Sequence, residues 1–145
     1  MLIREATDKD LTAVLELLKQ IDGESDQDMD QSLNIWSAIK KYPYYKLMVA
    51  EEEGRIVGTF SLMILDNLGH HGSKLAVVES VVVHSEFRSQ GIGKQMMEAA
   101  MERAKGEKCY KLMLSSNKKR VRAHKFYEEL GFEQHGISFA IEVGK

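Results

Sequence analysis

The chain reads as one α/β domain over residues 1–145: a twisted, mixed and mostly antiparallel sheet with helices on both faces. Three observations predict it. In the middle of the chain LAVVESVVV, GKQMMEAAMERAKGE and CYKLMLSS follow one another as strand, helix and strand, a right-handed crossover that leaves its two strands locally parallel. Before it, KLMVAEEEGRIVGTFSLMIL holds two strand-like runs around Glu53-Gly54-Arg55, which predicts an antiparallel hairpin. A length of 145 residues with 43% hydrophobic and 29% charged side chains suits one soluble core and argues against disorder.

The elements follow in order. Leu2 to Ala6 is a short strand, and Thr7 followed by Asp10 gives a capping-box-like start to the helix DKDLTAVLELLKQI. Leu11, Val14, Leu15 and Leu18 line its apolar face. DGESDQDMDQ breaks the pattern, and SLNIWSAIKKY resumes a shorter helix on which Leu33, Ile35, Trp36 and Ile39 keep helical spacing only loosely. Pro43 ends it. After the hairpin, DNLGHHGSK loops into the third long strand, LAVVESVVV. The helix that follows collects Ile92, Met96, Met97, Ala100 and Ala104 on one side and stops near Gly106. CYKLMLSS, a helix near RVRAHKFYEEL with Gly131 as its C-cap, and a final strand within FEQHGISFAIEV complete the order.

Composition excludes several function classes. With 20 basic and 22 acidic residues the net charge is −2, so no global field favours nucleic acid or an anionic membrane. Cys109 is the one cysteine, which rules out an intrachain disulfide and fits a reducing compartment. Its place in CYKLMLSS suits an inert, buried strand thiol. The start MLIREATDKD carries no basic-then-apolar leader pattern, and no apolar run approaches the ~20 residues of a membrane span. The expected location is the cytoplasm.

The chemistry concentrates between Glu79 and Lys94, where a β-branched run ends in Arg88-Ser89-Gln90-Gly91-Ile92-Gly93 and opens directly onto a helix. Glycine lets the backbone approach a ligand closely, and the unpaired N–H groups of a first helical turn attract an anion. A tight turn is the plain alternative. The dinucleotide fingerprint fails, because Met96 stands where a third glycine is required and no acidic residue closes CYKLMLSS. The nucleoside triphosphate loop fails for want of Gly-Lys-Ser/Thr. A pyrophosphate at the helix terminus is the expectation.

Arg88-x-x-Gly91-x-Gly93 after a hydrophobic strand, with Asn117 and the Phe126-Tyr127-Glu128-x-x-Gly131-Phe132 stretch one strand later, resembles the GNAT superfamily of acyl-CoA-dependent N-acetyltransferases. The resemblance spans essentially the whole chain and is densest from Val77 to Phe132. Ser115 to His135 is most similar to bacterial enzymes that acetylate small amines, aminoalkylphosphonate acetyltransferases among them. The resemblance implies acetyl-CoA as cosubstrate, its pyrophosphate held by the backbone of Arg88, Ser89, Gln90, Gly91, Ile92, Gly93 and Lys94. It implies that the pantetheine arm pairs with the backbone of Val81, Val82 and Val83 as an added strand would, and that Asn117 contacts the arm. Asn117 suits a plain turn as well. Tyr127 matches the family's general acid, a phenol beside the sulfur that protonates the departing thiolate. A core aromatic with its hydroxyl at the surface is the alternative for Tyr127.

An attacking amine must first lose a proton, and Glu79 is the candidate base, directly or through water. It interrupts a strand otherwise fit for burial, where a carboxylate is costly unless hydrogen-bonded or functional. Standing two residues before Val81, it is expected on that residue's side of the strand. An exposed strand face, or substrate binding without proton transfer, competes with that role. Direct attack needs no enzyme nucleophile, so Cys109 is not required.

Remaining features point to no metal and no nucleic acid. His70 and His71 are adjacent and lack the i, i+4 spacing of a helical zinc motif. Asp26-x-Asp28-x-Asp30 resembles a calcium loop, but Gln31 and Ser37 replace its glycine and glutamate. Lys118, Lys119, Arg120, Arg122 and Lys125 form a basic run without interleaved aromatics, a solvated helix start or a rim for CoA phosphates. Asp22, Glu24, Asp26, Asp28 and Asp30 form an acidic cluster that would attract a cationic amine or polyamine, or is a solvated loop. The aminoalkylphosphonate resemblance instead favours a zwitterion with an anionic tail. The expected partner is a small-molecule amine, with monomer and homodimer both open. A CoA-binding regulatory module without turnover and a protein or peptide N-acetyltransferase are the alternatives.

Overall fold

Alternating apolar residues and one short, left-handed turn set the sheet. The computed structural model describes residues 1–21 and 27–144. Its elements are β1 (Leu2–Glu5), a 3-10 turn (Asp8–Asp10), α1 (Leu11–Leu18), α2 (Met29–Ile39), β2 (Tyr45–Glu52), β3 (Arg55–Leu65), a single turn α3 (Gly69–Gly72), β4 (Lys74–Val83), a 3-10 turn (Ser85–Phe87), α4 (Ile92–Gly106), β5 (Cys109–Leu114) and α5 (Val121–Glu129). The strands lie in the order β1-β2-β3-β4-β5. β1 to β4 pair antiparallel. β5 joins beside β4 after the α4 crossover, the connection that parallel strands need, which makes the sheet mixed. The chain forms two compact units, Met1–Met113 and a smaller one from Leu114 onward.

In the first unit, Glu53 (φ 49°) and Gly54 (φ 79°) are both left-handed, the turn whose twist matches that of a β-hairpin. Val57 to Leu62 are buried without interruption, so both faces of β3 are covered. Gly58 eases this on one face: a Cβ there would stand 2.6 Å from Met96 Sδ, so the Met96 side chain would have to shift. α4 buries Ile92, Met96, Met97, Ala100 and Ala104, the stripe that the spacing predicts. α1 departs from its predicted stripe, burying Leu11, Val14 and Leu17 and leaving Leu15 and Leu18 half-buried. α2 begins at Met29, earlier than the apolar spacing suggests, because Asp28 caps it by accepting the Gln31 N–H at 3.0 Å. Its Leu33 and Ile35 are exposed, which explains their loose spacing.

A half-buried polar link closes the start of the chain. Arg4 donates to both Asp10 oxygens (2.7 and 3.0 Å) and to Glu51 Oε1 (2.6 Å), joining β1, the first turn and β2. Asp10 also accepts the Thr7 N–H at 2.7 Å, the capping contact read from sequence. The Arg4 hydrogen bonds hold the Asp10 carboxyl below its usual range.

In the smaller unit α5 ends in a Schellman motif. Phe132 N–H donates to Tyr127 O and Gly131 N–H to Glu128 O, both at 3.0 Å. Gly131, with φ 100°, is the residue just past the cap, and Leu130 is the cap itself. The predicted final strand within FEQHGISFAIEV is absent: residues 133–144 form neither strand nor helix. The alternation is present, but a strand also needs a hydrogen-bonded neighbour, and this segment has none among the described strands. No described helix is long and apolar enough to cross a membrane.

Candidate active site

The junction of β4 and α4 lies wholly in the first unit. After Val83 the chain makes the turn Ser85–Phe87, then passes through Ser89 (φ 64°) and Gly91 (φ 80°) into α4. The helical ladder begins with Gln95 N–H on Gly91 O at 3.1 Å. The N–H groups of Ile92, Gly93 and Lys94 therefore have no intrahelical acceptor, and no side chain caps them. With the helix dipole behind them they have the geometry that favours an anion. A Cβ on Gly91 would meet no protein atom within 4 Å, so the space beside it is open to a ligand, while its φ favours glycine. Ser89, Gln90, Gly91 and Lys94 are exposed, and Ile92 is anchored in the core.

Contacts that sequence reasoning missed fix this loop. Arg88 Nε donates to Val83 O at 3.3 Å, tying the loop to the end of β4. His84 Nδ1 accepts the Glu86 N–H at 3.1 Å, and Arg55 from β3 donates to Glu86 Oε2 at 3.2 Å while lying 5.0 Å from the Phe87 ring centroid. Of these contacts only those of Arg55 with Glu86 and Phe87 join residues far apart along the chain.

β4 is interrupted at Ser80, whose φ is 54°. Ser61 pairs with Glu79 and Thr59 with Val82, so two β4 residues oppose the single Phe60, a β-bulge. Ser61 and Thr59 share one face of β3, and their partners Glu79 and Val82 therefore share a face. This corrects the expectation that Glu79 lies on the side of Val81, since the extra residue shifts the alternation. Glu79 is also exposed rather than buried, so its carboxylate needs no buried partner. Val82 is buried, and Val81 and Val83 are half-buried.

Asn117 and Tyr127 belong to the smaller unit. Asn117 Oδ1 accepts the Lys119 N–H at 2.9 Å, and its carbonyl accepts the Arg120 N–H at 2.9 Å, so the residue forms the turn ahead of α5. Beside it, Ser116 Oγ is buried without a hydrogen-bond partner, an orphaned hydroxyl suited to a ligand contact. Sequence reasoning passed over Ser116. Tyr127 packs edge to face with Phe126 (5.1 Å) and Phe132 (5.7 Å). Burial raises its phenol above the ordinary tyrosine range, against a smaller opposing pull from Arg120. Cys109 is half-buried and its thiol is likewise raised, by burial first and the Glu107 charge second, which disfavours the nucleophilic thiolate.

The cavities lie elsewhere. One of about 400 Å³ is lined by His71, Ser73, Lys74, Glu107 and Lys108, at the far ends of β4 and α4 from the loop. The loop is an open mouth on the surface. His70 stacks on Tyr110 at 4.1 Å, and among the described residues no three His, Cys, Asp or Glu side chains gather as a metal site. Of the acidic cluster, Asp22, Glu24 and Asp26 lie outside the described residues, while Asp28 caps α2 and Asp30 is exposed. Lys118, Lys119, Arg120, Arg122 and Lys125 are all exposed.

Known proteins match this arrangement. The acetyltransferase (GNAT) family model matches residues 11–132. Glucosamine 6-phosphate N-acetyltransferase of Trypanosoma brucei brucei is 34% identical over 98 residues, 68% of this chain and 65% of that protein. The match thus spans just under two thirds of that relative's length. Aminoalkylphosphonate N-acetyltransferase of Salmonella typhimurium is 29% identical over 137 residues, 94% of this chain and 88% of that protein. The crystal structure of glucosamine-6-phosphate N-acetyltransferase from Arabidopsis thaliana aligns with a TM-score of 0.87 at 28% identity, covering 99% of this chain and 98% of that one.

Proposed function

The chain belongs to the acetyltransferase (GNAT) family, and from that premise we propose that it is an N-acetyltransferase moving an acetyl group from acetyl-CoA to the primary amine of a small molecule by direct attack. The observation that carries this is the mouth of α4, where three unpaired N–H groups meet the left-handed backbone of Gly91 and an open space beside it. The family match runs through both compact units, which supports one functional domain over residues 1–145. A lone, unactivated thiol fits a reducing, cytoplasmic setting.

When bound, acetyl-CoA supplies an acetyl group activated as a thioester. The N–H groups of Ile92, Gly93 and Lys94, with the backbone from Arg88 to Gly91, hold the pyrophosphate. The backbone of Val81, Val82 and Val83 orients the pantetheine arm, and the family resemblance assigns Asn117 a contact with it. The Tyr127 hydroxyl gives its proton to the departing sulfur. Its raised phenol keeps that proton available at neutral and mildly alkaline pH. Glu79, exposed on β4, takes the proton from the incoming ammonium through water.

We infer that the acceptor is an amine joined to an anionic phosphorus group. The two curated relatives act, by their names, on an aminoalkylphosphonate and on glucosamine 6-phosphate, which share that pairing. A cationic polyamine is less well supported, because Asp28 of the acidic cluster is engaged as a helix cap. The test is thiol release from acetyl-CoA across a panel of aminoalkylphosphonates, glucosamine 6-phosphate and polyamines. Fast release with the phosphorus-bearing amines is expected. Preference for polyamines overturns the acceptor class, and acetyl-CoA binding without release to any amine favours a regulatory module.

Glu79→Gln is expected to depress kcat/KM by roughly 10- to 100-fold near neutral pH and to recover partly in alkali, where free amine is already abundant. A pH-rate profile of both proteins checks it. Equal loss at every pH would assign Glu79 to substrate positioning.

A further inference from the structure

We propose, building on the acetyl-CoA loop at the mouth of α4, that His84 is a positioning residue: its neutral imidazole holds the turn that carries this loop, and a proton gained by the ring releases it. The N–H groups of the turn Ser85–Phe87 show what is held. Ser85 N–H donates to Gln20 Oε1 at 3.1 Å, Glu86 N–H to His84 Nδ1 at 3.1 Å and Phe87 N–H to His84 O at 2.8 Å. All three are satisfied, and the middle one depends on a single imidazole nitrogen. Glu86 passes the constraint on. Its carbonyl accepts Gln90 Nε2 at 3.5 Å, inside the loop that leads into α4.

The protonation state follows from the neighbours. The ring stands between two donors, the Glu86 N–H at Nδ1 and the Arg55 guanidinium 3.3 Å from Nε2. A neutral imidazole accepts at one nitrogen, and the Glu86 bond assigns that role to Nδ1 with the proton at Nε2. An imidazolium accepts at neither, so both neighbours then face it donor to donor. The charges at the ring decide little between these forms. Arg55 from β3 repels an imidazolium at 3.3 Å, Glu86 Oε2 attracts it at 3.9 Å, and Gln20, reaching the turn from α1, is uncharged. Phe87 meets the ring edge to face at 5.7 Å and adds no charge. Opposed charges at such similar distances nearly offset, and the Arg55 and Glu86 side chains are both exposed enough to be screened. What protonation removes is therefore the Glu86 hydrogen bond.

Histidine is the side chain that changes charge between about pH 5 and 8, so acid is expected to loosen the turn and, through Glu86 and Gln90, the loop that receives the pyrophosphate. A cap that does not titrate would not respond. Asparagine at the same position offers Oδ1 to the N–H two residues on, the contact that His84 Nδ1 makes, and it stays neutral throughout.

The test pairs nitrogen NMR of the ligand-free protein with acetyl-CoA calorimetry on the full chain. At about pH 7.5 the His84 ring is expected to carry its proton on Nε2. Between about pH 7.5 and about pH 5.5 the wild type is expected to lose roughly five- to tenfold more affinity than His84→Asn, a ratio in which protonation of acetyl-CoA itself cancels. His84→Asn should bind close to the wild-type level at the higher pH, whereas His84→Ala should be weaker by a similar factor at both. An Nδ1–H tautomer, or equal acid losses in wild type and His84→Asn, overturns the role of His84 and leaves the acetyl-CoA site standing. A wild type that binds no acetyl-CoA at either pH overturns that site, and the role of His84 with it. Should His84→Ala fail to fold, the tautomer and the His84→Asn comparison decide.

Discussion

Gly91→Val is expected to weaken acetyl-CoA binding by roughly 10- to 100-fold, equivalent to about 1.4–2.8 kcal/mol, in a protein that still folds. Gly91 has φ 80°, a conformation that costs an L-residue about 1–2 kcal/mol and a β-branched one more. The valine backbone therefore relaxes toward negative φ, which turns the first N–H groups of α4 away from the point where they converge. Its branched Cβ also enters the open space beside residue 91. Apart from its chain neighbours no protein atom lies within 4 Å of that position, so the fold meets no clash and the loss falls on the ligand. Titration calorimetry with acetyl-CoA measures it, with circular dichroism confirming the helices. Gly91→Ala should show a smaller loss, from backbone strain with less intrusion. Wild-type affinity in folded Gly91→Val would remove the pyrophosphate from this loop.

What the sequence made legible is local. The stripe on α4, the left-handed hairpin turn at Glu53-Gly54 and the strand-to-helix loop each depend on residues within a few positions of one another. The loop was readable because glycine at Gly91 marks a backbone need and the helix after it supplies the anion site by geometry alone. The bulge at Ser80 was not readable. Serine is an ordinary strand-face residue, and only pairing against β3 shows that two residues oppose Phe60. That single extra residue is why Glu79 shares a face with Val82, and of the two readings that the surrounding valines left open for Glu79 the exposed strand face is the one observed. The link from Arg55 to Glu86 and the orphaned Ser116 hydroxyl are likewise products of pairing and packing rather than of spacing. The segment after α5 shows the converse case. Its alternation is a valid strand signal, and what it lacks is a neighbour among the described strands, which is a matter of pairing rather than of the local chain.

Tyr127→Phe is expected to lower kcat by roughly 100- to 10,000-fold, about 3–5 kcal/mol of transition-state stabilisation, with little change in acetyl-CoA affinity. The substitution deletes one hydroxyl and keeps the ring that packs against Phe126 and Phe132, so the fold and the Schellman turn that closes on Tyr127 O persist. The loss belongs to kcat because the proton is needed only as the sulfur departs. The pH profile adds a second readout. Burial disfavours the phenolate, so the folded phenol titrates above the ordinary tyrosine value, and the acid form is fully present at and below neutrality. The alkaline limb of the wild-type rate should therefore begin above the usual tyrosine range. By the same linkage, the stability contributed by the neutral phenol is present below that ordinary value and is lost as pH rises through the folded one. In Tyr127→Phe this alkaline limb disappears along with most of the rate, because no phenol remains to titrate. A variant that keeps wild-type turnover, or one whose residual rate retains the same alkaline limb, would take the acid role away from Tyr127 and give it to water or to another donor.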